Sequence, residues 1–422
     1  RPWEGRTLVL YGTVLADPAG GYRMYYSNFS GPAAPSMVFL ATSDDALAWR
    51  KPDLGVVEWR GSRANNIVLA GERPLDAPSV IHDADDPQWP WKMLMFHAEG
   101  KETGTRGWGL YAYRSRDGLA WEQVPGVRLR AGDRTNLMAE KVDGRFVVYT
   151  RHANVAALTG GRAVYRSESA DFMEWTEPQL AVAPDLHDEP NVQIYGMSVF
   201  RRNGWHLGLV EYWHDTPDVI ETHLAFSRDG ARWTRPVPRA PFIAATFDWN
   251  RAWSTCASSG PVVVSEQMVF PFGGRWVAHG WDSAQQYGVI GMASLPLDRF
   301  CALEAASGGR LDTPPLVWPG GELTLNADTR QDFTSHPAHC NGSIAVEVLD
   351  GEGRPLPDYA GDGRAVFRGN THCRGRAADG TVRWPGGREL GQVAGQTIRL
   401  RFHLEHARLF TFAAVTTAPP AP

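Results

Sequence analysis

Acidic, imidazole and aromatic side chains recur in this chain at two kinds of position. Each unit of strand-like segments is preceded by a carboxylate: Glu4, Asp76, Asp133, Asp188 with Glu189, and Asp248. After the second segment of each unit come Asn28, His97, Arg151 with His152, Glu211 with Trp213, His214 and Asp215, and His279 with Trp281 and Asp282. In a radial array of antiparallel sheets both positions fall at one end of the central channel. Paired carboxylates in a polar, aromatic-walled pocket suit cleavage of a glycosidic bond. One protonates the leaving oxygen, and the other attacks or activates water. Trp213, Trp249, Trp253 and Trp281 offer faces for sugar rings, while Arg151, His152, His214, Arg251 and His279 offer donors to hydroxyls. Acids are common on any protein surface, so the set counts for more than its members.

The elements that would position these groups are marked by a phrase, Ser-x-Asp-x-x-x-Trp. It occurs as Ser43, Asp45 and Trp49, as Ser115, Asp117 and Trp121, as Ser169, Asp171 and Trp175, and as Ser227, Asp229 and Trp233. Serine and aspartate hydrogen-bond the backbone of a tight turn, and tryptophan packs back on the neighbouring unit. Before each copy run an apolar strand, a turn, an aromatic strand and a third strand. Expected first strands are Val9 to Val14, Ser79 to Ile81, Leu137 to Val142 and Met197 to Phe200. A fifth unit, from Val262, has lost the phrase. The pattern predicts an all-β chain with a five-bladed β-propeller over residues 1–300, in preference to a pair of sandwiches. Beyond it, strands such as Ser343 to Val348, Thr381 to Trp384 and Thr397 to Phe402 lack the device and predict a β-sandwich accessory domain over 301–422.

Composition narrows the function. The 422 residues are 43% hydrophobic and carry a formal charge of -5 with no basic run, which disfavours nucleic acid as a partner. No apolar stretch approaches the roughly 20 residues that span a bilayer, so no membrane partner is expected. Four cysteines are too few for a disulfide scaffold. His336, His339, Cys340, His372 and Cys373 are close enough in sequence for a zinc site or a Cys340 to Cys373 bridge, but unremarkable thiols are the default. The chain reads as soluble; it starts at Arg1, so a removed leader stays open and no compartment follows. Oligomeric state cannot be read.

With these residues in place, the chain resembles the five-bladed propeller glycoside hydrolases of families 32, 43 and 68, which act chiefly on fructofuranosides, arabinofuranosides and xylosides. The appended sandwich is similar to that of family 32. Asp76-Ala77-Pro78 looks like the family's Arg-Asp-Pro segment with its assisting aspartate, and Glu189-Pro190 resembles its Glu-Cys-Pro or Glu-Gly-Pro segment with the general acid. Asp17-Pro18-Ala19-Gly20 resembles the nucleophile segment but falls in a hairpin turn, which leaves Glu4 as the blade-one carboxylate.

The resemblance implies a hydrolase of terminal furanoside-type or related sugars. Glu189 would be the acid, Asp76 the transition-state stabiliser, and Glu4 or Asp248 the nucleophile or base, with Asp133 and Asp188 in reserve. Arg151, His152, Glu211, Trp213, His214, Arg251, Trp253 and His279 would hold a carbohydrate substrate, and no cofactor or metal is expected. Two alternatives stand beside this reading: a sugar-binding propeller without catalysis, and a metal-dependent enzyme using His97, His152, His214 and His279 at the channel mouth.

Overall fold

A computed structural model of the protein describes every residue except 6, 29–35, 72–74, 98–106, 153–160, 279–287, 331–340, 373–377 and 416–422, and the side chains of Val127 and His152. The chain divides into two compact units, Arg1–Val264 with Val269–Ser294, and Ser265–Met268 with Leu295–Pro422.

Antiparallel sheets build the first unit. In the first sheet β1 (Leu8–Val9) and β2 (Val14–Ala16) both pair with β3 (Tyr22–Asn28), followed by β4 (Ser36–Ser43) and β5 (Ile67–Gly71). The next sheet runs β6 (Leu75–His82), β7 (Trp91–His97), β8 (Gly109–Ser115) and β9 (Glu122–Leu129). A third runs β10 (Ala131–Leu137), β11 (Phe146–His152), β12 (Val164–Ser169) and β13 (Gln179–Val182). The last is larger. It takes in β14 (Val192–Arg202), β15 (Trp205–His214), β16 (Val219–Ser227), β17 (Pro241–Ile243), β18 (Trp253–Cys256), β19 (Val262–Val264), β20 (Gln267–Arg275) and β21 (Gly288–Pro296). Its two halves meet through one parallel register, Ile220 with Trp253.

Hydrophobic cores lie between consecutive sheets. Tyr25, Val38 and Leu40 pack with Val80, Met93 and Met95. Ile81, Leu94 and Phe96 pack with Leu137, Phe146 and Val148, and Val147 and Tyr149 with Met197, Val199 and Val210. A further core returns from Val262, Val269, Ile290 and Met292 to Val14, Met24 and Phe39 of the first sheet. Thr7 forms a parallel bridge with Gly288. Sheets that each bury both faces against neighbours in cyclic order make a propeller-like arrangement.

The repeated phrase does local work at all four copies. Asp117 Oδ1 accepts the Leu119 and Ala120 N–H groups at 2.8 and 3.0 Å, and Ser115 Oγ donates to it at 3.0 Å. Asp45, Asp171 and Asp229 repeat the pattern, with N–H to Oδ1 lengths of 2.8 to 2.9 Å. Backbone N–H donors hold the Asp45, Asp171 and Asp229 carboxyls below the usual range, Asp229 at about 2.

Three first strands start earlier than their apolar pattern predicts. The third is Ala131–Leu137, not Leu137 to Val142, so Asp133 lies inside a strand. Likewise Asp76 lies inside Leu75–His82, and the fourth begins at Val192. The stretch Val9 to Val14 is not one strand: at Gly12 it presses on the Tyr25 backbone, where a Cβ would sit 1.8 Å from the carbonyl oxygen.

The second unit has two antiparallel sheets. One joins β22 (Leu303–Ala305), β25 (Glu322–Asp328) and β29 (Ala407–Val415). The other joins β23 (Gly309–Asp312), β24 (Leu316–Val317), β26 (Ser343–Asp350), β27 (Ala365–Phe367) and β28 (Thr397–Glu405). Leu323, Leu325, Ile344, Val346, Leu400 and Phe402 from both sheets share one core. Thr381 to Trp384 is not a strand but an isolated bridge at Thr381, with Val382 and Trp384 buried in that core. His336, His339, Cys340 and Cys373 lie outside the described residues. No helix among the described residues is long and apolar enough to cross a membrane.

Candidate active site

The first unit's inner strands converge on a small aromatic cluster of Val9, Tyr11, Ala77, Tyr195, Ile220, Ala252 and Trp253, with Trp213 against it. Asp76 is set at this cluster by a break in the β6–β7 register between Asp76 and Ser79, where Ala77 has a left-handed φ of 52°. Bulges of this kind re-aim a side chain. Asp76 Oδ1 accepts the Ala77 N–H at 2.7 Å. Burial raises its pKa above the ordinary aspartate value, against the pull of that N–H and of Arg275, Arg151 and Arg134.

Strands β10, β11 and β20 and the segment before β12 bring guanidinium groups to the same place. Arg134 in β10 is fully buried and pairs bidentately with Glu211 of β15, at 2.8 and 2.5 Å. It also donates to Ser258 Oγ at 2.9 Å and to the Cys256 carbonyl at 2.5 Å. Burial would lower the Arg134 pKa, but the Glu211 carboxylate outweighs it and raises it. Room for the pair is made by Gly196, at a register shift in β14: a Cβ there would stand 2.2 Å from Arg134 Cγ and 2.5 Å from Glu211 Oε2. Arg151 pairs with Asp133 and lies 4.5 Å over the Tyr195 ring. Arg275 lies 4.3 Å over Trp253, and Arg162 4.1 Å over Trp213. Burial, then the like charge of Arg151, lowers the Arg162 pKa. The Tyr11 hydroxyl is buried and has no hydrogen-bond partner among the described residues. Desolvation pushes its pKa well above 10.

Asp76, Asp133, Arg151, Glu211, Trp213 and Trp253 thus come together. Glu211 is there as an ion-pair partner, closed off from any ligand by Arg134 and the Cys256 N–H at 3.0 Å. The other expected residues fall elsewhere. Glu4 is buried in the turn Pro2–Glu4, where it accepts from Lys51 Nζ at 2.8 Å, from the terminal amine at 2.6 Å and from the Tyr26 hydroxyl. Burial alone would raise its pKa, but these donors outweigh it and hold it below the ordinary glutamate value. The Asp188 carboxylate is taken by Arg235 at 2.9 Å and Arg239 at 3.0 Å. Asp248 is exposed in the loop before β18. Arg251 donates to the Trp276 carbonyl at 2.9 Å and lines a hollow of about 370 Å³ with Asp218, Ala252 and Trp276. Glu189 is 73% exposed, with Oε2 3.6 Å from His214 Nδ1. The side chain of His152 and all of His279, Trp281 and Asp282 lie outside the described residues.

Of the mouth histidines, His97 Nε2 lies 2.8 Å from the Tyr113 hydroxyl and its ring stacks on Tyr111. His214 instead meets two residues that the strand-end rule passes over, Glu221 and His223, with one ligand atom from each within 4.8 Å of the others. Burial, reinforced by His214, lowers the His223 pKa to about 4.

Tyr11, Arg134, Arg162, Tyr195 and Arg275 were not marked by the rule that picked strand ends. Arg134 directly follows Asp133, inside the register shift between Ala131 and Thr135, which sequence pattern does not reveal.

No protein-family model matches the sequence, and no curated protein matches it. Among solved structures, an N-acetylgalactosamine deacetylase from F. plautii, determined with blood group B trisaccharide, is 14% identical. The match covers 70% of this chain and 89% of that one, with a TM-score of 0.50. A thermostable family-43 glycoside hydrolase is 14% identical over 68% of this chain and 89% of its own, at a TM-score of 0.48. Another glycoside hydrolase is 11% identical over 69% and 88%, also at 0.48. At such identity the likeness is of fold, and fold does not fix chemistry. In fold the chain is similar to that deacetylase.

Proposed function

We propose that the first unit is a five-bladed β-propeller hydrolase acting on a glycosidic bond, and that the second is a β-sandwich accessory domain. The observation that carries the reading is Asp76: a partly exposed carboxyl with a raised pKa, set by a bulge at an aromatic-walled centre. A general acid needs a carboxyl that keeps its proton near the working pH. In this mechanism Asp76, rather than the exposed Glu189, gives its proton to the departing glycosidic oxygen. Asp133, beside Arg151, supplies the second carboxylate, which bonds to the anomeric carbon or takes a proton from the attacking water. Trp213, Trp253 and Tyr195 wall the sugar, and Arg151 and Arg162 bind its hydroxyls. The substrates in view are furanoside-type and related terminal sugars.

The full chain assayed on a panel of nitrophenyl furanosides, pyranosides and uronides tests this. Turnover of at least one member, falling about 10²-fold or more in Asp76→Asn, is expected. Sugar binding with no turnover on any member would instead make the unit a lectin.

A further inference from the structure

We propose that His214, Glu221 and His223 form a binding site for one divalent transition-metal ion of the zinc type, separate from the Asp76 centre. The site rests on strand register. In the antiparallel β15–β16 pair, Tyr212 faces Glu221, Val210 faces His223 and His214 faces Val219. Alternation puts these side chains on the face of β15 opposite to Glu211 and Trp213, the face that carries Tyr212 into the neighbouring core. The three ligand atoms lie within 4.8 Å of one another, so small rotations close them on one ion.

His223 supplies an independent sign of a ligand. His223 is only 6% exposed and its ring stacks on Tyr212 at 3.9 Å, yet among the described residues neither ring nitrogen has a hydrogen-bond partner. Buried polar atoms in native proteins almost always have one. His206 is likewise buried, but it belongs to no group of three ligating side chains among the described residues. At His223 an imidazole and a carboxylate are within reach.

Chemistry selects the ion. Two imidazoles and a carboxylate are a zinc-type donor set, whereas calcium and magnesium take oxygen ligands. Glu221 is already oriented, since its Oε1 accepts the Ala245 N–H at 3.1 Å; such outer contacts hold a ligating carboxylate in place. Glu189 Oε2, 3.6 Å from His214 Nδ1, stands where it can complete the coordination directly or through water. The ion would then tie the loop bearing Glu189 to β15 and β16.

Calorimetric titration of chelator-stripped full chain with Zn²⁺ decides the matter. The expected result is one high-affinity equivalent, a rise in Tm on binding, and a loss of about tenfold or more in affinity in both His214→Ala and Glu221→Gln. His214 and Glu221 are only partly buried, so these variants avoid the cavity that His223→Ala would leave. Asp76→Asn is expected to bind as the wild type does, which separates this site from the proposed hydrolase chemistry. Absence of saturable binding by the wild type, or unchanged affinity in both ligand variants, would overturn the assignment.

Discussion

Glu211→Gln is the substitution for which the structure gives the largest stability effect. Glu211 and Arg134 have side chains 0% and 1% exposed, and the pair links β10 to β15. Through Arg134 the same group reaches the Cys256 carbonyl and Ser258 Oγ, and Ser258 Oγ in turn donates to the Tyr11 carbonyl at 2.5 Å. Glutamine keeps the shape but turns an NH₂ group towards a guanidinium and leaves a buried positive charge uncompensated. Breaking a buried pair from one side costs about 3–5 kcal/mol. With an unfolding entropy of about 2.1 cal/mol/K per residue, a unit of this size would lose about 5–8 °C in Tm. Scanning calorimetry on wild type, Glu211→Gln, Arg134→Met and the Arg134→Met/Glu211→Leu double variant reads the effect. The double variant should recover part of the loss, because replacing both partners removes the stranded charge. A Glu211→Gln Tm within about 1 °C of wild type would refute the pair's role as an internal tie.

Other outcomes follow from neighbouring features. Gly196→Ala should cost about 1–3 kcal/mol through overpacking against Arg134, read as a lower urea midpoint. Asp117→Ala should lose about 1–3 kcal/mol with its N–H acceptor role, read by thermal melting, while kcat on any identified substrate stays unchanged. Glu4 has a folded pKa below its ordinary value, so its contribution is present near neutral pH and is lost as pH falls through that folded pKa. Lys51→Met removes one source of that shift; urea unfolding between neutral pH and about pH 3 should show wild type losing more stability than the variant.

Local chemistry was legible in the sequence. The four Ser-x-Asp-x-x-x-Trp turns depend on bonds spanning two or three residues, and their hydrogen bonds recur nearly unchanged. Most strands of the first three sheets fall where the apolar and aromatic runs place them. What failed was any inference that crossed sheets. Glu4 looked free because Lys51 is 47 residues away, and Asp188 looked free because Arg239 is 51 away. Asp76 was singled out through its segment, but its bulge was not foreseeable, since a register shift leaves no mark in a strand of ordinary composition. The same blindness hid Arg134 beside Asp133, and Glu221 and His223, which share a face with His214 only once β15 and β16 are paired.

Asp76 is proposed as the acid of a sugar hydrolase. Its raised pKa gives two linked signs. Native Asp76 holds its proton above the pH at which the unfolded chain releases it, so stability falls as pH rises through its folded pKa, and Asp76→Asn should flatten that slope. Catalysis needs the protonated form, so kcat/KM should fall over the same rise in pH. The most direct measurement is the pH profile of kcat/KM for wild type and Asp76→Asn on the best substrate of the glycoside panel. A wild-type alkaline limb above the ordinary aspartate range is expected, and its absence, with about 10²-fold or more lost rate, in the variant. An Asp76→Asn enzyme with the wild-type rate and the same alkaline limb would contradict it.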